Sequence, residues 1–160
     1  MAESKTYAYG VAEPGQIAGL SGRQILQAMI DGALPQAPIC ELLAFWLVEV
    51  GDGFAVFEGE PGPGQRNPMG AVHGGWAMAL VDSVTGSAGL STLPPGSSYS
   101  TIETKANMVR PITPTTGRVR AEGRIISRGR QILTCEGSVW STDGKLLAHG
   151  TSTLLVLAAT

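Results

Sequence analysis

Two glycines behind a histidine, followed eight residues later by an isolated acid, form the part of this chain best suited to covalent chemistry. The run reads AVHGGWAMALVDSVTGSAGL, and across residues 72–102 Asp82 is the only Asp, Glu, Lys or Arg. A carboxylate placed alone in so apolar a stretch is costly to bury. It therefore pairs, changes its protonation, or reacts as a general base or nucleophile. A glycine in the first turn of a helix leaves its backbone N–H open to a ligand, and the helix dipole there favours negative charge. The Gly74 N–H can thus receive a developing oxyanion. The plainer alternatives are that Gly74 and Gly75 relieve crowding where a helix meets a sheet, and that Asp82 is a buried acid satisfied by hydroxyls or an arginine.

His73 stands at the positive end of the same helix, where a neutral imidazole making an orienting hydrogen bond is favoured over a general base. His149 lies alone on a strand and reads as a core or rim residue. No spacing of His, Cys and acids resembles a ligand set, so no metal is expected. Helical rise sets a further condition. At about 1.5 Å per residue, Gly74 and Asp82 lie about 12 Å apart and cannot grip one small reacting group. If both act on one carbonyl, they come from different protomers whose helices lie side by side across a two-fold axis.

A second cluster is basic. The strand GRVRAEGRII puts Arg118, Arg120 and Arg124 on one face and Val119, Ala121 and Ile125 on the other, and Arg128, Gly129 and Arg130 form the next turn. A solvated outer face explains these arginines, and so does a site for phosphates. Net charge is −2, yet seven of the eleven Lys and Arg fall within residues 105–130, opposed there only by Glu122. A nucleic-acid partner would call for a more basic total, so a ligand with an apolar end and a polyanionic handle is expected instead.

These groups need elements to hold them. A small-residue helix over 74–90 carries Trp76, Leu80, Val84 and Ala88 on one stripe. Ser21 and Gln24 predict a capping box for an earlier helix that ends at Gly32. Two strands are expected around Gly51-Asp52-Gly53, and four more, read as an antiparallel meander, at 99–109, 117–127, 131–141 and 145–157. The composition of 160 residues, 43% hydrophobic and 15% charged, suits one soluble globular domain over 21–160 behind a loose arm over 1–20. Cys40 and Cys135 are far apart and are expected to be structural thiols of a reducing compartment. No apolar segment is long enough to span a bilayer, and no basic N-terminal stretch precedes an apolar run. A cytoplasmic location without a membrane partner is expected.

The set NPMGAVHGGWAMALVD, with Asn67, Gly70, His73, Gly74, Gly75 and Asp82, resembles the hotdog-fold acyl-CoA thioesterases of the phenylacetate-degradation and 4-hydroxybenzoyl-CoA thioesterase branch. TIETKANMVRPI, GRVRAEGRIISRGRQI and STDGKLLAHGTSTLLVL are similar to that family's later strands, so the resemblance runs over about residues 38–157. It implies an α+β hotdog fold, an antiparallel sheet wrapped around one long central helix, assembled as a homodimer or homotetramer. It also implies hydrolysis of an acyl-CoA thioester to free acid and CoA, with no metal and no cofactor apart from the CoA of the substrate.

Position by position, the resemblance implies that Gly74 polarises the thioester carbonyl and that Asp82 is the helix acid, as base or nucleophile. Asn67 is the polar side chain near the reacting centre. Thr101, or Ser100 across a loop of variable length, is a strand hydroxyl that helps hold water. His73 and Gly75 are expected to contact substrate, and Arg128, Gly129 and Arg130 the nucleotide end of CoA. Where one branch carries a Thr one turn after its acid, this chain has Gly86. Two rival readings use the same cavity. A non-catalytic acyl-CoA-binding protein would gain nothing from Asp82. A hotdog dehydratase of 3-hydroxyacyl thioesters relies on a histidine with an acid, and His73 sits at the wrong end of the helix for that.

Overall fold

The computed structural model describes residues 6–158. Of the arm expected over 1–20, residues 1–5 lie outside this span, and the remainder has local structure of its own. Tyr9 bridges Gln36 as a parallel pair, and a four-residue helix, α1 (Pro14–Ile17), follows. The anchor is Gln36, which is buried and satisfied at both ends of its amide. Its Nε2 donates to the Leu47 carbonyl and its Oε1 accepts from the Leu47 N–H, each at 3.0 Å. A buried amide is stable only with such complete pairing.

Helix α2 (Gly22–Asp31) has the expected box. Ser21 Oγ accepts from the Gln24 N–H, Gln24 Oε1 accepts from the Ser21 N–H, and Gly32 closes the helix with φ 84°. A short helix α3 (Pro38–Leu43), which local signals did not reveal, leads into β1 (Phe45–Gly51) and β2 (Phe54–Gly59) around the expected turn. The central helix α4 (Gly74–Leu90) has the expected limits, and the remaining strands are β3 (Ser98–Met108), β4 (Val119–Arg128), β5 (Ile132–Ser141) and β6 (Leu146–Leu157).

The six strands form one antiparallel sheet in the order β1-β2-β4-β5-β6-β3, wrapped around α4 in the α+β hotdog arrangement. The four-strand meander is corrected here: β4, β5 and β6 are sequential neighbours, but β3 pairs with β6 at the far edge. The connection over 109–118 makes this possible. Passing from β3 over β6 and β5 to β4 is about 14 Å at the usual strand spacing, well within reach of ten residues but beyond a hairpin turn.

α4 is apolar nearly all round. Leu80, Val81, Val84 and Ala88 are fully buried, and Trp76 meets Phe45 edge to face at 6.5 Å. Each large aliphatic side chain so buried contributes about 1.5–3 kcal/mol. The helix backbone itself reaches the sheet because Gly123, Gly137 and Gly150 lie in register across β4, β5 and β6. A methyl group on Gly123 would strike the Val84 carbonyl, and one on Gly137 would come within 3.1 Å of Thr85 Cγ2. This row seats α4 at the height that brings Thr85 and Asp82 level with the strands. No helix among the described residues is long and apolar enough to cross a membrane.

Candidate active site

His73 is the N-cap of α4, and its Nδ1 accepts the Gly75 N–H at 2.9 Å. The accepting nitrogen must carry a lone pair, so the neutral ring holds its proton on Nε2. The cap consumes the Gly75 donor. The Gly74 N–H has no acceptor among the described residues, and Gly74 is exposed. Crowding does not account for this glycine: a Cβ there would meet nothing closer than Met108 Cε at 3.7 Å, an ordinary contact. Gly75 is the tighter position, because a Cβ added there would lie 2.9 Å from the capping nitrogen of His73.

Gly74 opens onto a cavity of about 230 Å³ whose wall also includes Asn67, His73 and Arg110, over an apolar floor that includes Ala77 and Ile112. Asn67 belongs to a compact loop that begins with a single 3-10 turn, Pro63–Gln65. Its Oδ1 accepts from the Met69 N–H at 2.9 Å, which leaves the side-chain NH2 as the group able to face the cavity. Arg110 is anchored at the rim by donating to the Leu146 carbonyl at 2.7 Å. Asn67, His73 and Gly74 are therefore brought together.

Asp82 is not among the residues lining that cavity. It is half-buried at the midpoint of α4, and its Oδ1 accepts from Thr104 Oγ1 on β3 at 3.0 Å. A β-bulge between Thr101 and Glu103 decides which hydroxyl arrives there. Before the bulge Tyr99 and Thr101 take the half-buried side. After it Thr104 and Ala106 do, while Ile102 is pushed out to 58% exposure. Unbroken alternation would have turned Glu103 and Lys105 toward the helix. Thr104 is thus a site residue that sequence reading missed. The available signal was that Tyr99 and Ala106, both suited to the inner face, are seven residues apart, an odd interval that a regular strand cannot place on one side. Thr101 lies on the helix side two residues before the bulge is completed, and Ser100 is exposed.

Gly86, one turn after Asp82, leaves room for the Tyr99 hydroxyl, which a Cβ at that position would strike. Burial, with the Asp82 charge adding to it, pushes the Tyr99 phenol up to about 12, so it stays a proton donor. Cys40 and Cys135 are free and buried, and burial pushes both thiols up to about 11, too high for a nucleophile at neutral pH.

The basic cluster divides. Arg118 pairs with Glu58 and Glu60, Arg120 with Glu49 and Glu122, and Arg124 stacks over Phe54 at 4.7 Å. These three form the solvated outer face of the sheet. Arg128 has one exposed partner, Asp52, at 3.2 Å, and Arg130 has no carboxylate partner among the described residues.

With this geometry in view, comparison with known proteins gives a consistent result. The profile of the thioesterase superfamily matches residues 69–148, half of the sequence and the part that holds α4 and strands β3, β4 and β5. The chain belongs to the thioesterase superfamily. A curated relative from Haemophilus influenzae, named as an esterase, is 30% identical over 90 residues, which cover 56% of this chain and 64% of that protein. The chain thus spans somewhat less than two thirds of that relative's length. A phenylacetic acid degradation-related protein from Ralstonia eutropha JMP134 superposes with a TM-score of 0.73 at 30% identity, covering 81% of this chain and 98% of its own. The protein smu.793 of Streptococcus mutans UA159, solved bound to acetyl CoA, has a TM-score of 0.65 at 23% identity over 72% of this chain and 90% of its own.

Proposed function

We propose that this superfamily member hydrolyses acyl-CoA thioesters, and that each active site is built from two protomers. The observation that carries the reading is the division of labour along α4. An uncommitted Gly74 N–H opens on an apolar cavity, and the one acid of the helix lies about 12 Å of rise away at the helix midpoint, outside that cavity. In the proposed reaction the thioester carbonyl oxygen takes the Gly74 hydrogen bond, with the helix dipole behind it, and Asn67 flanks the same cavity. Asp82 of the other protomer either removes a proton from water as that water adds to the carbonyl carbon, or itself forms the C–O bond, giving an anhydride that water then opens. In both courses the C–S bond breaks, the electron pair leaves on sulfur, and the products are the free acid and CoA. Thr101 is proposed as a hydroxyl beside the attacking water. No metal or further cofactor is invoked, since CoA enters as part of the substrate.

Two features support a partner protomer. β3 is an edge strand of 11 residues with Ile102 and Met108 exposed, and an unpaired edge of that length is a template for strand addition. The side of α4 bearing Gly75, Ala79, Asp82 and Ser83 is only partly covered within one protomer, and its small residues suit a close antiparallel helix.

For the nucleotide end of CoA, Arg128 and Arg130 with Gly129 between them remain the proposed contacts. They lie at the end of the sheet next to the C terminus of α4, where the Gly53 N–H donates to Ser91 Oγ and Arg128 reaches Asp52. An exposed pair such as Arg128–Asp52 is weak and can yield to a phosphate.

Thiol release from a panel of short, long and aromatic acyl-CoAs tests the reading. Release above the uncatalysed rate is expected for at least one class, and none for any class would overturn it. In the same assay Arg128→Gln with Arg130→Gln should raise KM more than it lowers kcat, and the wild-type KM should rise with salt. An unchanged KM would return both arginines to the solvated face.

A further inference from the structure

Asp82 is held by a file of hydroxyls that crosses three elements. Its Oδ1 accepts from Thr104 Oγ1 on β3. Thr104 Oγ1 lies 3.0 Å from Ser152 Oγ on β6, and Ser152 Oγ lies 2.7 Å from Thr85 Oγ1 on α4. Thr85 and Ser152 are 0% and 1% exposed, so water cannot replace either hydroxyl.

The protons in this file can be counted. A carboxylate only accepts, and each hydroxyl has a single proton to give. Three contacts therefore share three protons, and one assignment fills them all: Thr85 donates to Ser152, Ser152 to Thr104, and Thr104 to Asp82. Every O–H dipole then points toward the carboxylate, and bonds in such a chain reinforce one another. The Val81 and Asp82 carbonyl oxygens, 2.9 and 3.1 Å from Thr85 Oγ1, compete for the first proton and keep Thr85 against its own helix. Asp82 Oδ2 has no hydrogen-bond partner among the described residues.

We infer that Thr104, backed by Ser152 and Thr85, is a positioning residue for Asp82: it pins one carboxylate oxygen so that the other faces the reacting thioester. The inference rests on the hydrolytic reading above and adds to it which oxygen works and what aims it. Whether Oδ2 takes a proton from water or forms the bond to the carbonyl carbon, its direction of approach must be fixed. A carboxylate free to turn about its last torsion exchanges its two oxygens and spreads that direction. Misplacement of a reacting group by about an ångström costs on the order of a hundredfold in rate. The bulge at Ile102 belongs to the same device, since without it no hydroxyl of β3 would reach Asp82 at this level.

Thr104→Val removes the hydroxyl but keeps the β-branched shape. In the thiol-release assay its kcat should fall by about tenfold or more with KM within about twofold. Thr104→Ser should keep kcat within about threefold, and Ser152→Ala should fall between them. A threonine with a purely structural role would lower the melting temperature and leave the kcat of the folded enzyme unchanged. Wild-type kcat in folded Thr104→Val would overturn the positioning role and leave the hydrolytic reading standing. Should the wild type release no thiol from any substrate, that reading falls, and the file is tested by urea unfolding of Asp82→Ala, Thr104→Val and the double variant. A double-variant midpoint shift smaller than the sum of the single shifts supports the coupling, and additive shifts overturn it.

Discussion

Asp82→Asn should leave the fold intact and lower turnover by at least about a hundredfold, the scale of losing a general base or nucleophile. The structure makes this substitution a clean one. Asn has nearly the shape of Asp, and its Oδ1 can still accept the Thr104 proton, so the hydroxyl file and the helix seating survive. What disappears is the negative charge and the ability to take a proton or attack a carbonyl. Asp82 is half-buried and makes no ion pair among the described residues, so no cation is stranded. Thiol release under saturating acyl-CoA, with a thermal melt alongside, measures both halves. Near wild-type turnover in a folded variant would remove Asp82 from the mechanism.

Mixing two inactive variants should restore activity, up to about half that of a wild-type dimer for each heterodimer. One variant is Asp82→Asn, and the other is Gly74→Pro. In a mixed dimer one site carries both lesions and the other neither, which is the signature of a site shared across a two-fold axis. Proline suits Gly74 for three reasons. Gly74 is the first helical residue after the His73 cap, the position where proline is favoured because its N–H lies outside the helix ladder. His73, with φ −64° and ψ 135°, already has the extended backbone that a following proline requires. The nearest atom to an added Cβ is 3.7 Å away. The substitution therefore removes the proposed oxyanion donor and little else. Heterodimers shown to have formed but remaining inactive would mean that Asp82 works with donors of its own chain.

The two experiments divide the proposal between them. Loss of turnover in Asp82→Asn assigns chemistry to the acid but says nothing about whose Gly74 it serves. Complementation assigns the partner. A site within one chain would give the first result without the second.

Much of the architecture could be read along the chain because the signals are local. The Ser21–Gln24 box and Gly32 mark α2, the glycine turn separates β1 from β2, and the small-residue run from Gly74 to Leu90 is α4 to the residue. The strands after it end within two residues of their expected limits. Caps, turns and alternation act over a few residues, and so a single sequence displays them. The distance between Gly74 and Asp82, and with it the case for two protomers, also needed only helical rise. Tertiary structure alone decided the rest. It placed β3 at the edge beside β6, matched Arg118 and Arg120 to acids on β1, β2 and β4, and lined up three glycines beneath α4. It also inserted the bulge that brings Thr104 to Asp82, with Ser152 and Thr85 behind it. Those partners lie 22 to 67 residues apart, and what joins them is strand register and the height of a helix above a sheet, quantities that arise only when distant segments pack together.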